Sequence, residues 1–194
     1  MGAIGGCLML LVAIAVLGAI WAIWRYNNLI SLRNQVANGW KQIDVQLKRR
    51  HDLIPNLVSA VRGEMQFEQD TLEKVIQARN SAVAARGVAD AADKENALTQ
   101  TLSRLFALAE NYPNLKANDN VRSLMEELSS TENRIGFARQ FYNDIATRYN
   151  TAQQVFPDSF IAQTFKFQPV ELFELKDETE RAVPKVDLNL RPSQ

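Results

Sequence analysis

Histidine and cysteine, the side chains most used for metal ligation and nucleophilic chemistry, occur once each in 194 residues, as His51 and Cys7. A lone cysteine forms no intramolecular disulfide, so nothing asks for an oxidising compartment. Glycine is also scarce: after Trp24 it stands only at Gly39, Gly63, Gly87 and Gly136, and no Gly-rich loop exists to cradle a phosphate. There is no excess of either charge, with Lys+Arg 22 against Asp+Glu 22. A chain without a basic surplus is not expected to bind nucleic acid. No stretch shows the period-two alternation of a strand.

The most informative absence is local. Residues 1–24 carry no charged side chain, and every residue there is apolar or glycine. At helical rise they span roughly 36 Å, enough for a hydrocarbon core of about 30 Å, so a transmembrane helix is expected. No basic stretch precedes it and no small-x-small site lies ahead of Trp21, which argues against a cleaved signal peptide. Cys7 follows Ile4-Gly5-Gly6 without a preceding apolar region, so a lipid anchor there is not expected, and Gly6 stands where myristoylation of Gly2 would need Ser or Thr. Arg25, Arg33 and Lys41 follow the span, so the positive-inside bias predicts an outside N-terminus and a cytoplasmic domain. Trp21, Trp24, Arg25 and Tyr26 form the aromatic and cationic cluster expected where a helix leaves a bilayer. Gly2 and Gly6 have the spacing of a helix-pairing motif, although small residues facing lipid explain them equally simply.

What is present beyond Trp24 is helical periodicity. Leu29, Val36, Ile43 and Leu57 fall on one multiple of seven, with Trp40, Leu47, Ile54 and Val61 on a neighbouring row. Pro55 is expected to kink this first helix, by removing the bond to the His51 carbonyl, with the break near Gly63 to Asp70. The alternative is a new helix capped by Asp52. Asp70 and Glu73 have capping-box spacing ahead of a second helix with Leu72, Val75, Ile76 and Val83, ending near Gly87. A third carries Leu98, Leu102, Leu105, Ala109 and Tyr112 and stops at Pro113. A fourth repeats by seven through Val121, Leu128, Ile135, Tyr142, Tyr149 and Phe156, up to Pro157. The expected fold is all-α: a transmembrane helix continuing into an antiparallel up-and-down four-helix bundle with long first and fourth helices. The expected division is 1–24 span, 25–156 bundle, 157–174 apolar juxtamembrane segment and 175–194 polar mobile tail.

Matching the two long stripes makes paired residue numbers sum to about 182. Arg50, with Arg49 beside it, then comes near Glu132, and Asp44 near Arg139. Asn143 and Asn150 each follow a stripe tyrosine and are expected to bond Asn27 and Asn34 between the first and fourth helices. In the apolar segment after Pro157, Phe160, Phe165, Phe167 and Phe173 are expected either to close the open bundle end or to touch the membrane interface. Lys48-Arg49-Arg50 lies about 36 Å past the span, several Debye lengths of about 8 Å, so it reads as a solvated or internally paired face rather than a lipid site, with an acidic protein partner as the alternative.

Little chemistry is available. A di-iron bundle needs two Glu-x-x-His motifs, and the residue three before His51 is Lys48. A zinc site fails likewise, and no nucleophile is assembled unless Ser59 meets His51, which is expected on the helix surface or at the kink. No catalytic residue, metal or cofactor is expected.

The segments Tyr26-Asn27, Leu32-Arg33-Asn34, Trp40, 43–50 (IDVQLKRR), 52–58 (DLIPNLV), 110–117 (ENYPNLKA), 131–135 (TENRI), Tyr142-Asn143, Tyr149-Asn150 and Phe156-Pro157 closely resemble the LemA family over residues 26 to about 168. The resemblance implies a bacterial inner-membrane protein with one span, an outside N-terminus and a cytoplasmic helical bundle. It brings no enzymatic activity and no catalytic residue. A magnetosome-membrane protein is among the family's relatives, and its genes often accompany membrane metalloproteases of the HtpX type. The expected partners are the lipid bilayer, further copies of the chain, and a membrane metalloprotease or other membrane protein. The expected role is a non-enzymatic membrane-anchored scaffold or adaptor, with membrane organisation through oligomerisation and the 160–173 segment as the alternative and a hydrolase as the least favoured reading.

Overall fold

A computed structural model describes residues 2–63, 65 and 68–174; the expected polar tail, 175–194, lies outside them. The described residues form six helices and no strand: α1 Gly2–Val61, α2 Gln69–Val83, α3 Gly87–Ala109, α4 Pro113–Ala117, α5 Asp119–Gln154 and α6 Asp158–Thr164. The fold is all-helical, and α1 is long and apolar enough at its start to cross a membrane. Its most apolar 18-residue stretch has a mean hydropathy of 2.2 and no buried residue.

α1 runs through Pro55 without a break. Proline supplies no N–H to the carbonyl four residues back, and Arg79 of α2 takes that place, its Nε donating to the His51 oxygen at 3.1 Å. The chain leaves the helix only after Val61. α2 begins one residue ahead of Asp70, with Glu68 at its N-cap and no side-chain cap, so the expected Asp70–Glu73 capping box is not formed; Asp70 lies inside the first turn. Gly87 opens α3 at φ 81, a conformation that favours glycine. At the start of α5 the Asn118 side chain accepts from the amides of Asn120 and Val121, satisfying two of the amides that a helix start leaves open. The sequence reading missed two short helices, α4 and α6, each too brief to show a period.

α5 lies antiparallel along the half of α1 beyond Trp24, for about 54 Å. A β-carbon added at Gly39 would sit 3.6 Å from the Tyr142 backbone, a measure of how closely the two axes approach. Far from the apolar end, one core gathers Ile54 and Leu57 of α1, Leu72 and Val75 of α2, Leu98 and Leu105 of α3, and Val121 and Leu128 of α5. Nearer that end, α2 and the bulk of α3 no longer reach. There Val36, Ile43, Ile135 and Tyr149 are covered by the start of α3 and by Phe173. Lowest of all, Ile161 and Ala162 of α6 bury Leu29.

Candidate functional site

Four local arrangements hold the candidate side chains, three of them built around residues singled out by the sequence. The first is a charged layer inside the core. Arg50 and Glu95 are each 1 % exposed. Arg50 Nη1 lies 3.2 Å from Glu95 Oε2 and 3.1 Å from Glu132 Oε2, and Nη2 donates to Thr99 Oγ1 at 2.8 Å. The other oxygen of Glu95 meets His51 Nε2 at 2.6 Å. His51 is therefore a buried partner of Glu95, not the helix-surface or kink residue expected, because Glu95 on α3 needs a second polar neighbour once removed from water. Burial pulls the Arg50 guanidinium below its ordinary pKa, while Glu132 and Glu95 pull it back.

The sequence reading missed Glu95 and Thr99, although a signal existed. Ala91, Glu95, Leu98, Leu102, Leu105 and Ala109 follow one four-three spacing, and Arg50 completes the row Leu29, Val36, Ile43, Leu57. A charge on a core seam marks a buried partner on the facing helix. A groove of about 370 Å³ between α3 and α5 opens onto this layer past Leu102, Phe106 and Met125. Arg49 points outward and pairs with Glu127 at 2.6 Å, both exposed.

The second arrangement replaces the pairing expected for the asparagines. Asn27 and Asn34 are exposed, and Asn143 and Asn150 turn to the chain that returns after α6. Asn150 donates to the Val170 oxygen at 2.8 Å and accepts from its amide at 2.9 Å. Asn143 does the same with Phe173, at 3.1 and 2.8 Å. Seven helical residues advance about 10.5 Å and three extended residues about 10 Å, so each carboxamide meets the backbone in turn. Between them Tyr142 donates its hydroxyl to the Glu171 carbonyl at 2.8 Å. Burial, with the Glu171 charge adding to it, raises the pKa of that phenol. The expected Asp44–Arg139 pair is absent among the described ion pairs: Asp44 is exposed, and Arg139 lies instead over the Phe173 ring, 4.5 Å from its centre. Burial lowers the Arg139 pKa, partly offset by Glu132.

The third arrangement is at the end of the apolar stretch. Arg25 Nε lies 3.1 Å from Asp158 Oδ1 of α6, and its guanidinium rests 4.9 Å from the Trp24 ring. Tyr26 packs on Phe165 at 4.7 Å and on Phe167 at 5.8 Å between ring centres. Of the aromatics expected at the interface, Phe160 is 68 % and Phe165 56 % exposed, while Phe173 is 3 % exposed between Trp40 and Arg139 and Phe167 is half-buried against Tyr26. Phe173 leaves the interface set, because the asparagine bonds draw residues 170–173 up along α5, whereas Phe167 stays beside Tyr26. Phe156, 82 % exposed, lies on the same end.

The fourth is an aromatic patch on the outer face of α1 and α5, where Phe137 is 74 %, Val45 62 % and Phe141 47 % exposed. Lys41, Arg134 and two glutamines rim it. Among the described residues no group of three His, Cys, Asp or Glu side chains could hold a metal ion.

Comparison with known proteins adds to this geometry. A model of the LemA family matches residues 39–188. The chain is similar to the magnetosome protein MamQ of Magnetospirillum gryphiswaldense, 25% identical over 219 residues that cover 96% of this chain and 80% of that protein. It is similar also to the protein LemA of Metamycoplasma hominis, 27% identical over 157 residues, 79% of this chain and 70% of that protein.

Proposed function

The chain belongs to the LemA family, and we propose that it is a non-enzymatic, membrane-anchored adaptor that holds a helical body above the bilayer for membrane-protein partners or further copies of itself. In this reading α1, α2, α3 and α5 form an up-and-down four-helix bundle. Arg25, Arg33 and Lys41 keep that bundle on the cytoplasmic side of a bacterial inner membrane, with the N-terminus outside.

The observation that carries the reading is the exposed aromatic pair Phe137 and Phe141 beside Val45. One turn apart on α5, they form an unpartnered apolar ridge about 30 Å from the end of the apolar stretch, beyond the reach of lipid. Such ridges, rimmed by polar residues, are what protein partners cover. Lys41 and Arg134 favour a partner helix with carboxylates flanking its apolar seam. A membrane metalloprotease is one such partner class.

The test is affinity purification of the full chain from its native membranes, beside a Phe137→Ser/Phe141→Ser variant. Both side chains are largely outside the core, so the variant keeps the wild-type melting temperature. Loss of a co-purifying membrane protein, or of the oligomer, from the variant alone supports the adaptor. Identical complexes from both proteins sink it. A second reading, a membrane-organising protein, draws on the relatives whose names place them in magnetosomes and on the aromatic residues exposed around α6.

A further inference from the structure

We propose that α6 and its flanks are a second membrane contact: Phe156, Phe160 and Phe165 dip into the headgroup layer of the leaflet from which α1 emerges. The proposal rests on α1 being the span, and deepens the membrane-organising reading by naming the surface that touches lipid.

Height is the first reason. α6 packs against Ala22, Tyr26 and Leu29 of α1, and Ala22 belongs to the charge-free stretch that ends at Trp24. From Ala22 to Leu29 the helix climbs about 10 Å, and the polar layer on each side of a bilayer is about 5–7 Å deep. A body seated on those residues stands within the headgroups. The Arg25–Asp158 ion pair and the tilted contact of the Tyr26 and Phe165 rings fix it there.

Chemistry is the second reason. Ile161 and Ala162 are the buried face of α6, whereas Val155, Phe156, Phe160 and Phe165 are 54–82 % exposed. So much exposed aromatic surface beside a span is expected of residues that lie 5–10 Å into the headgroup–acyl boundary. Trp21 and Trp24, with the Arg25 guanidinium over both rings, continue the same level around α1. Lys166, exposed directly after Phe165, supplies a cation where anionic headgroups would lie. The outer ridge at Phe137, beside Val45, stands about 30 Å above this level.

The experiment uses the full chain with Cys7→Ser, reconstituted into vesicles of phosphatidylethanolamine and phosphatidylglycerol. A polarity-sensitive nitrobenzoxadiazole label is placed at one of Leu11→Cys, Val45→Cys, Phe156→Cys or Phe160→Cys, all four exposed positions, so that the fold is kept and checked by melting. The expected result is that labels at 156 and 160 shift to the blue and lose most of their intensity to lipids spin-labelled near the headgroup. The label at 11 should respond to lipids spin-labelled deep in the chain, and the label at 45 to neither. If 11 is quenched while 156 and 160 behave like 45, the second contact is overturned and the span stands. If 11 is not quenched, both fall together.

Discussion

Glu95 shows what one residue can decide inside a core. Its carboxylate is held by Arg50 on one oxygen and by His51 on the other, all three buried. Removing it leaves a buried guanidinium with only the partly exposed Glu132 as counter-charge, and breaking a buried pair costs about 3–5 kcal/mol in comparable cases. Glu95→Leu is therefore expected to lower the urea midpoint sharply, and Arg50→Met added to it should restore most of the loss. A single Glu95→Leu variant of wild-type stability would show that the layer is energetically idle. Arg50 and Glu132 were legible from the seven-residue rows, because both lie on the two long helices whose register those rows fix. Glu95 was not legible in the same way, since nothing in the sequence of α3 states which turn of α1 it faces. Lys166 offers a second case. It sits at φ 54, where the Phe167 amide bonds the Ala162 oxygen at 2.9 Å and the Lys166 amide bonds Gln163 at 3.2 Å. That is the bonding of a helix stop that favours glycine. Lys166→Gly is expected to raise stability by about 1 kcal/mol, read as a higher melting temperature; an unchanged or lower one would mean the side chain compensates the strain.

Among the elements, the least foreseeable is the extended return of residues 167–174 along α5. The stretch is aromatic-rich and interrupted by Pro169, features equally suited to a flap or to a lipid contact. What decides between them is that Asn143 and Asn150 match the backbone of an extended chain at two points. Sequence spacing displayed the two asparagines but not their direction, since an asparagine two turns from another serves a neighbouring helix as readily as a strand. Asn143→Ala removes both bonds to Phe173 and is expected to cost about 2 kcal/mol. Amide exchange should quicken at Phe173 and Val170 while the middle of α5 stays protected. Uniform quickening through α5 would instead mean that Asn143 supports the helix itself. The long helices α1 and α5 were legible because apolar residues recur by seven over several turns, whereas α4 and α6, at five and seven residues, complete too few turns for any period to register.

At the scale of the whole molecule, charge-free and charged parts are joined without a linker. α1 is one helix of 60 residues with a single proline, Pro55, where Arg79 donates to the carbonyl that the ring leaves without its usual donor. No flexible joint lies between the stretch that suits lipid and the stretch that carries the body. In a bilayer, spans tilt by about 20° on average and tilt further when the hydrocarbon layer thins. In vesicles of shorter-chain lipid, backbone orientations measured on either side of Arg25 in aligned samples should change together; a change confined to the lipid side would reveal a hinge. Through a rigid arm of about 55 Å, a tilt of about 20° carries the far tip sideways by about 19 Å. An unjointed helix thus makes the body a pointer, and the thickness of the bilayer beneath it becomes a distance swept among its neighbours.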